Sequence, residues 1–332
     1  MPWDRNRMMG GTVIDHEEDG AVRPLTLAWV SRQLDAGERV VGTEVLHGGI
    51  TAEMRRLTIG TRDAGTRDLV LRSFVDPYFV EHAEDLLHRE ADALALLTGT
   101  GVSAPGLVAI DATAAQCEYP SLLMTHLAGR TVLDDEGLEA RVPLLARQLV
   151  AIHTLRPADR PQEYEAWTTA DAVVPPLGAD PVAWATAADV IRKPAPRYEG
   201  RFLHRDFQPG NVLFDASPSS TAGPRITGVV DWVQTSWGPA DLDVAHCSSN
   251  LALLHGPAWG LRFAEAYEEA GGVLAATAGE RLYWSLLDAL AFAAGAEWVA
   301  RPWRRAGRAE LTTRAVEERL DAYVAALLDA LS

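Results

Sequence analysis

His204-Arg205-Asp206-Phe207-Gln208-Pro209-Gly210-Asn211-Val212-Leu213 is the stretch on which the reading of this chain turns. It holds an aspartate and, after four intervening residues, an asparagine in a polar loop between apolar segments, with Pro209-Gly210 supplying the bend. A carboxylate can accept the proton of an attacking hydroxyl, and an amide oxygen is a hard ligand that suits magnesium. Asp206 and Asn211 are the residues placed for those two tasks, and His204 would hold the loop by hydrogen bonding rather than touch a substrate. Further on, Gly228-Val229-Val230-Asp231-Trp232 delivers a second carboxylate at the end of a β-branched strand. Asn211 and Asp231 together would grip a Mg2+ ion brought in by a triphosphate.

Working outward, residues 1–24 are polar and aperiodic and read as an N-terminal arm. The spacing of Leu25, Leu27, Val30 and Leu34 predicts a first helix. From Val40 to Phe74 the pattern alternates as strands do, with Gly48-Gly49 as a turn, and predicts three antiparallel strands. Glu81 to Thr98 carries Ala83, Leu86, Leu87, Ala91, Leu94 and Leu97 at helical spacing, and Leu107–Ile110 and Leu122–Met124 add two more strands. After Gly129 the chain turns to alanine- and leucine-rich helical stretches: Gly137–Leu155, Ala183–Ile191, Ala240–Leu254, Trp259–Ala270, Gly279–Ala300 and Leu311–Leu331. The fold class expected is α+β and two-lobed, with residues 25–125 forming a small antiparallel-sheet lobe with one main helix and residues 126–332 a larger, mostly helical lobe.

The bulk numbers agree with two packed cores: 332 residues, 48% of them hydrophobic and 23% charged. A net charge of -16 argues against nucleic acid or an anionic membrane as a main partner and favours a cationic or neutral ligand. Cys117 and Cys247 are far apart in apolar company, so they read as buried thiols rather than a disulfide framework or a zinc cluster. There is no signal-like apolar run and no segment near the length of a membrane span, so a cytoplasmic location is expected. Lys193 is the only lysine, and nearly all of the 30 basic residues are therefore arginine.

In the small lobe, Gly48, Gly49, Ile50 and Thr51 lie between two strands, where backbone N–H groups could cover phosphates. The loop from His204 to Leu213 matches the catalytic-loop pattern of kinases. Taken with Asp231-Trp232, with Gly238-Pro239 and Asp243-Val244-Ala245, and with Leu149–His153, it makes the chain resemble the aminoglycoside phosphotransferase family of small-molecule kinases, from Gly48 to about Leu254. That resemblance implies a protein-kinase-like fold and transfer of the γ-phosphate of ATP or GTP to the hydroxyl of a small molecule. It implies Asp206 as base, Asn211 and Asp231 as magnesium ligands, and Asp243 as a tether of the loop. It also implies a purine docked on main chain near Thr125 to Leu127, and it carries the family's association with antibiotic resistance.

Departures from the family pattern are as informative. Kinases place a lysine at the end of the third strand, paired with an acid on the next helix; here Arg72 stands there with Glu90 on the helix. Gln208 stands where many members have histidine, and no phosphorylatable segment separates Asp231 from Gly238. A protein substrate is therefore not expected. The acceptor stays open between an aminoglycoside, met by carboxylates such as Asp134, Asp135, Glu136, Asp288 or Glu297, a macrolide, lined by tryptophans such as Trp284 and Trp298, and a metabolic alcohol. The other alternative is an inactive nucleotide-binding module, motivated by the missing lysine. The sequence sets no oligomeric state.

Overall fold

The computed structural model describes residues 21–46, 51–215 and 223–331. It divides into two compact units. One holds the described residues up to Ala128 together with Gly228–Gln234, and the other holds Gly129–Thr227 and the residues from Thr235 onward. The sequence reading puts the change of lobe at 125/126 and residues 228–234 in the larger lobe; by their contacts these seven residues group with the sheet. Val229 donates its N–H to the Ser103 carbonyl at 2.9 Å, which ties the segment there.

The first unit is built on strands β1 (Arg39–Val45), β2 (Glu53–Gly60), β3 (Thr66–Ser73), β4 (Leu107–Asp111) and β5 (Ser121–Thr125), in the order β1-β2-β3-β5-β4 with every pair antiparallel. Alternate residues of β2 are buried, as period-2 patterning requires of a sheet with one face on a core. Helix α1 (Pro24–Arg32) packs Trp29 and Val30 against Leu57, Ile59, Leu69, Leu71, Cys117 and Leu123. Helix α2 (Pro77–Leu97) buries Phe79, Ala83, Leu86, Leu87, Leu94 and Leu97. It begins four residues before the expected Glu81, because Asp76 caps the Tyr78 N–H and Pro77 fits the first helical position.

The second unit is helical: α3 (Leu138–His153), α4 (Pro181–Arg192), α5 (Ala240–His255), α6 (Pro257–Glu269), α7 (Ala278–Ala289), α8 (Ala296–Arg305) and α9 (Thr313–Leu331). Strands β6 (Gly200–Leu203) and β9 (Ser236–Pro239) pair antiparallel, and β7 (Val212–Phe214) pairs with β8 (Ile226–Val229), along which the chain passes between the units. Helix α5 is buried nearly all round, as a helix at the centre of a bundle must be. Gly260 lets α6 approach it, since a Cβ there would lie 2.7 Å from the Ser248 carbonyl and 2.9 Å from Ala252. The helix expected over Gly279–Ala300 is not continuous. It stops at Ala289, runs through a short 3-10 turn at Leu290–Phe292, and restarts at Ala296 after Gly295, whose lack of a Cβ makes it the weakest point of the run.

Candidate active site

In the helical unit, β6 runs into the His204–Asp206 turn, and Arg205 takes the left-handed conformation with φ of 72°. Such a backbone is disfavoured for any residue with a Cβ and needs its surroundings to hold it. Asp243, in the first turn of α5, does so. Its carboxylate is fully buried and accepts the His204 N–H at 2.8 Å, the Arg205 N–H at 2.7 Å and His153 Nε2 at 3.1 Å. The Tyr267 hydroxyl lies 2.7 Å from His153 Nδ1 and holds the ring from its other side, with Nε2 directed at the Asp243 carboxylate. Burial pushes the Asp243 carboxyl up, but the His153 bond and the charges about the loop outweigh it and hold it below the usual range. His204 is itself buried, and its Nδ1 lies 3.3 Å from the Asp206 N–H.

Asp206 stands at the open end of this loop, its side chain a quarter exposed. The 3-10 turn Pro209–Asn211 brings Asn211 back so that its Nδ2 donates to the Asp206 carbonyl at 2.8 Å and to Oδ2 at 2.9 Å. The amide nitrogen is committed inward, and the amide oxygen is the side chain's remaining acceptor. The other oxygen of Asp206, Oδ1, accepts from His246 Nε2 at 2.9 Å, and His246 Nδ1 lies 3.0 Å from Asp288 Oδ1. Burial alone would lower the imidazole pKa, but Asp288 and Asp206 override it and push it up to about 9. Arg205 stacks on the Trp167 ring at 3.9 Å, with Nη1 3.9 Å from Asp288 Oδ1.

The sheet unit holds a second polar cluster. Arg72 on β3 is buried, and its Nη1 and Nη2 both donate to Asp231 Oδ1 at 3.0 Å. Its Nη1 also lies 3.0 Å from Glu90 Oε2 on α2. Burial pushes the Glu90 carboxyl up, with Arg72 opposing and Asp231 adding to it, to about 7. Asp231 sits at φ of 67° just beyond β8, and Trp232 behind it is completely buried with its indole N–H on the Val229 carbonyl at 3.0 Å. Such a backbone persists only where its surroundings hold it, and the buried Trp232 is the neighbour that does so here.

Of the remaining sequence candidates, Gly48, Gly49 and Ile50 lie outside the described residues, and Thr51 is half-buried in a bend before β2. Thr125 ends β5 with its N–H donated to the Gly106 carbonyl at 2.8 Å and its Oγ1 accepting the Gly106 N–H at 2.7 Å. The Leu127 side chain packs over Gly228, where a Cβ would lie 2.4 Å from it. Asp288 is not the exposed carboxylate expected to meet an acceptor: it is buried on α7 and faces His246. Trp284 is buried in the helical core, while Asp135 and Glu297 are exposed and paired with His255 and with Arg304. His246 escaped the sequence reading, although its place one turn after Asp243, on the same face of a helix rich in apolar residues, was the available signal.

Residues 44–283, well over half of the chain, match the family model for the phosphotransferase enzyme family, APH. The chain belongs to this family. Its fold is the kinase-like phosphotransferase fold, α+β with the five-stranded antiparallel sheet in one unit and the helices of the other. Among solved structures of phosphotransferases, it resembles macrolide 2'-phosphotransferase MphH from Brachybacterium faecium, with 17% identity, TM-score 0.54, and coverage of 89% of this chain and 97% of that one. It also resembles the GDP complex of a point mutant of aminoglycoside 2'-phosphotransferase-IIIa, with 18% identity, TM-score 0.58, and coverage of 92% and 99%. A third is a thermostable mutant of APH(4)-Ia in a ternary complex with ADP and hygromycin B, at 18% identity, TM-score 0.55, and coverage of 91% and 98%. No curated protein matches the chain significantly. No helix among the described residues is long and apolar enough to cross a membrane.

Proposed function

We propose that this phosphotransferase moves the γ-phosphate of ATP or GTP to a hydroxyl of a small molecule. The observation that carries the reading is the Asp206 carboxylate, part-exposed on a loop that Asp243, Asn211 and His246 hold from three directions. In the transfer, the acceptor oxygen bonds to the γ-phosphorus and its proton passes to Asp206. The bond from that phosphorus to the bridging oxygen breaks, and its electron pair leaves with the nucleoside diphosphate. Asp231 in one unit and Asn211 in the other each offer a hard oxygen donor of the kind magnesium takes, and magnesium bound with the triphosphate would neutralise charge on its phosphates. Arg72 would meet the same phosphates with a planar fork, kept in one orientation by Glu90 and Asp231.

An aminoglycoside-type acceptor comes first, because the chain carries a net charge of -16 and because related folds are known with kanamycin and hygromycin B. Such an enzyme would work in the cytoplasm, where nucleoside triphosphates are found. The test is a coupled nucleotide-consumption screen with both triphosphates against aminoglycosides, macrolides and small metabolic alcohols. One class should stimulate consumption, and Asp206→Ala should lower that stimulated rate by about 10²-fold or more with the fold intact. Undiminished turnover by the variant refutes the assignment.

A further inference from the structure

Between α5 and α7 lies a chain of side chains that the proposed reaction does not itself require. His246 is 1% exposed, and both of its ring nitrogens face carboxylates: Nε2 to Asp206 at 2.9 Å and Nδ1 to Asp288 at 3.0 Å. An ionised carboxylate can only accept, so a ring that bonds two of them must carry a proton on each nitrogen. Asn250, one turn along α5, sits with Nδ2 3.1 Å from His246 Nε2 and donates to the His246 carbonyl at 2.9 Å; an amide nitrogen cannot accept, so the acceptor for a proton on Nε2 is Asp206 Oδ1. Phe292 stacks on the imidazole with ring centroids 5.7 Å apart, and Trp167 meets its edge at 5.0 Å. The ring is enclosed by these two aromatic neighbours and is almost wholly buried. The charged groups about it are Asp206 and Arg205 from the loop and Asp288 from α7, so two anions and two cations balance there, with Asp206 alone reaching the surface.

We infer that His246 is a positioning residue of the proposed transfer, an imidazolium that Asp288 anchors from behind and that fixes the Asp206 carboxylate in its working orientation. The inference rests on the reading of Asp206 as base. With Oδ1 taken by His246 and Oδ2 by Asn211, the carboxylate cannot rotate without breaking two charge-assisted bonds. A base whose rotamer is locked before substrate arrives loses little orientation entropy during the reaction. Asp288 acts one step further back, by holding the other end of the ring.

Nitrogen-15 NMR of histidine-labelled protein tests the arrangement without reference to turnover. Both ring nitrogens of His246 should carry the shifts of an imidazolium at pH 7.5, and in Asp288→Asn the ring should turn neutral at that pH. A neutral His246 in the unmodified protein overturns the inference. The second arm uses the acceptor found in the nucleotide-consumption screen. His246→Gln keeps a donor to Asp206 but not the charge, and His246→Leu keeps neither. kcat should fall about tenfold in the first and about 10²-fold in the second, with the KM for triphosphate unchanged. Should both variants retain full kcat while Asp206→Ala is dead, the positioning role fails and the base assignment stands. Should Asp206→Ala be fully active, the base assignment fails by itself. A melting temperature for each variant separates loss of rate from loss of fold.

Discussion

Replacing Asp243 by asparagine removes a charge and one acceptor while preserving shape. Three donors reach the carboxylate: Arg205 N–H on Oδ1, and His204 N–H and His153 Nε2 on Oδ2. Whichever way the asparagine amide turns, at least one buried N–H meets an NH2 instead of an oxygen. One orphaned donor costs about 1–3 kcal/mol, and loss of the full charge weakens each of the two surviving bonds by about 1 kcal/mol. The sum is about 3–5 kcal/mol. For a unit of about 200 residues, an unfolding entropy of about 2 cal/mol/K per residue converts this to a fall in melting temperature of about 10 °C.

The pH dependence follows from the depressed carboxyl of Asp243. Its contribution is complete above the unfolded value near 4 and is lost as pH falls through the lower folded value. Calorimetric scans of both proteins should show a constant gap from pH 8 to pH 5 that narrows below about pH 4. The reasoning is refuted if the melting temperatures agree within about 2 °C at pH 7, or if the gap persists undiminished in acid.

Glu90 works in the opposite sense. Its folded pKa is raised from 4.5 to about 7, so the stability it leaves intact in acid is lost as pH climbs through that window. The transition of the sheet unit should weaken between pH 5 and pH 8 by on the order of 2–3 kcal/mol, and calorimetry of Glu90→Gln should show a flat profile there. Trp29→Ala empties a fully enclosed site between α1 and the sheet and should destabilise that unit by about 3–5 kcal/mol, read as an earlier denaturant midpoint.

Much of this architecture was legible because its signals are local. The alternation in β2, the spacing of Leu86, Leu87 and Leu94, and the Asp206-to-Asn211 loop each declare themselves within a dozen residues. What stayed hidden depends on distant packing. Asp288 reads as one more surface acid until the packing of α5 on α7 sets it against His246, forty-two residues earlier. Residues 228–234 group with the sheet through the Ser103 carbonyl and Glu90, neither of which any local pattern announces. The break before α8 was missed for a subtler reason: Gly295 costs a helix only about 1 kcal/mol, and tertiary fit decided the outcome.

The charged quartet of Asp206, Asp288, Arg205 and His246 has an evolutionary corollary. A lineage that lost the histidine alone would leave the buried Asp288 anion with only the more distant Arg205 to balance it, and one that lost the aspartate alone would strand the ring nitrogen behind it. Single steps at either position therefore pass through a handicapped intermediate. Homologues should carry histidine with aspartate at these two places, or a pair of uncharged residues, and seldom one without the other.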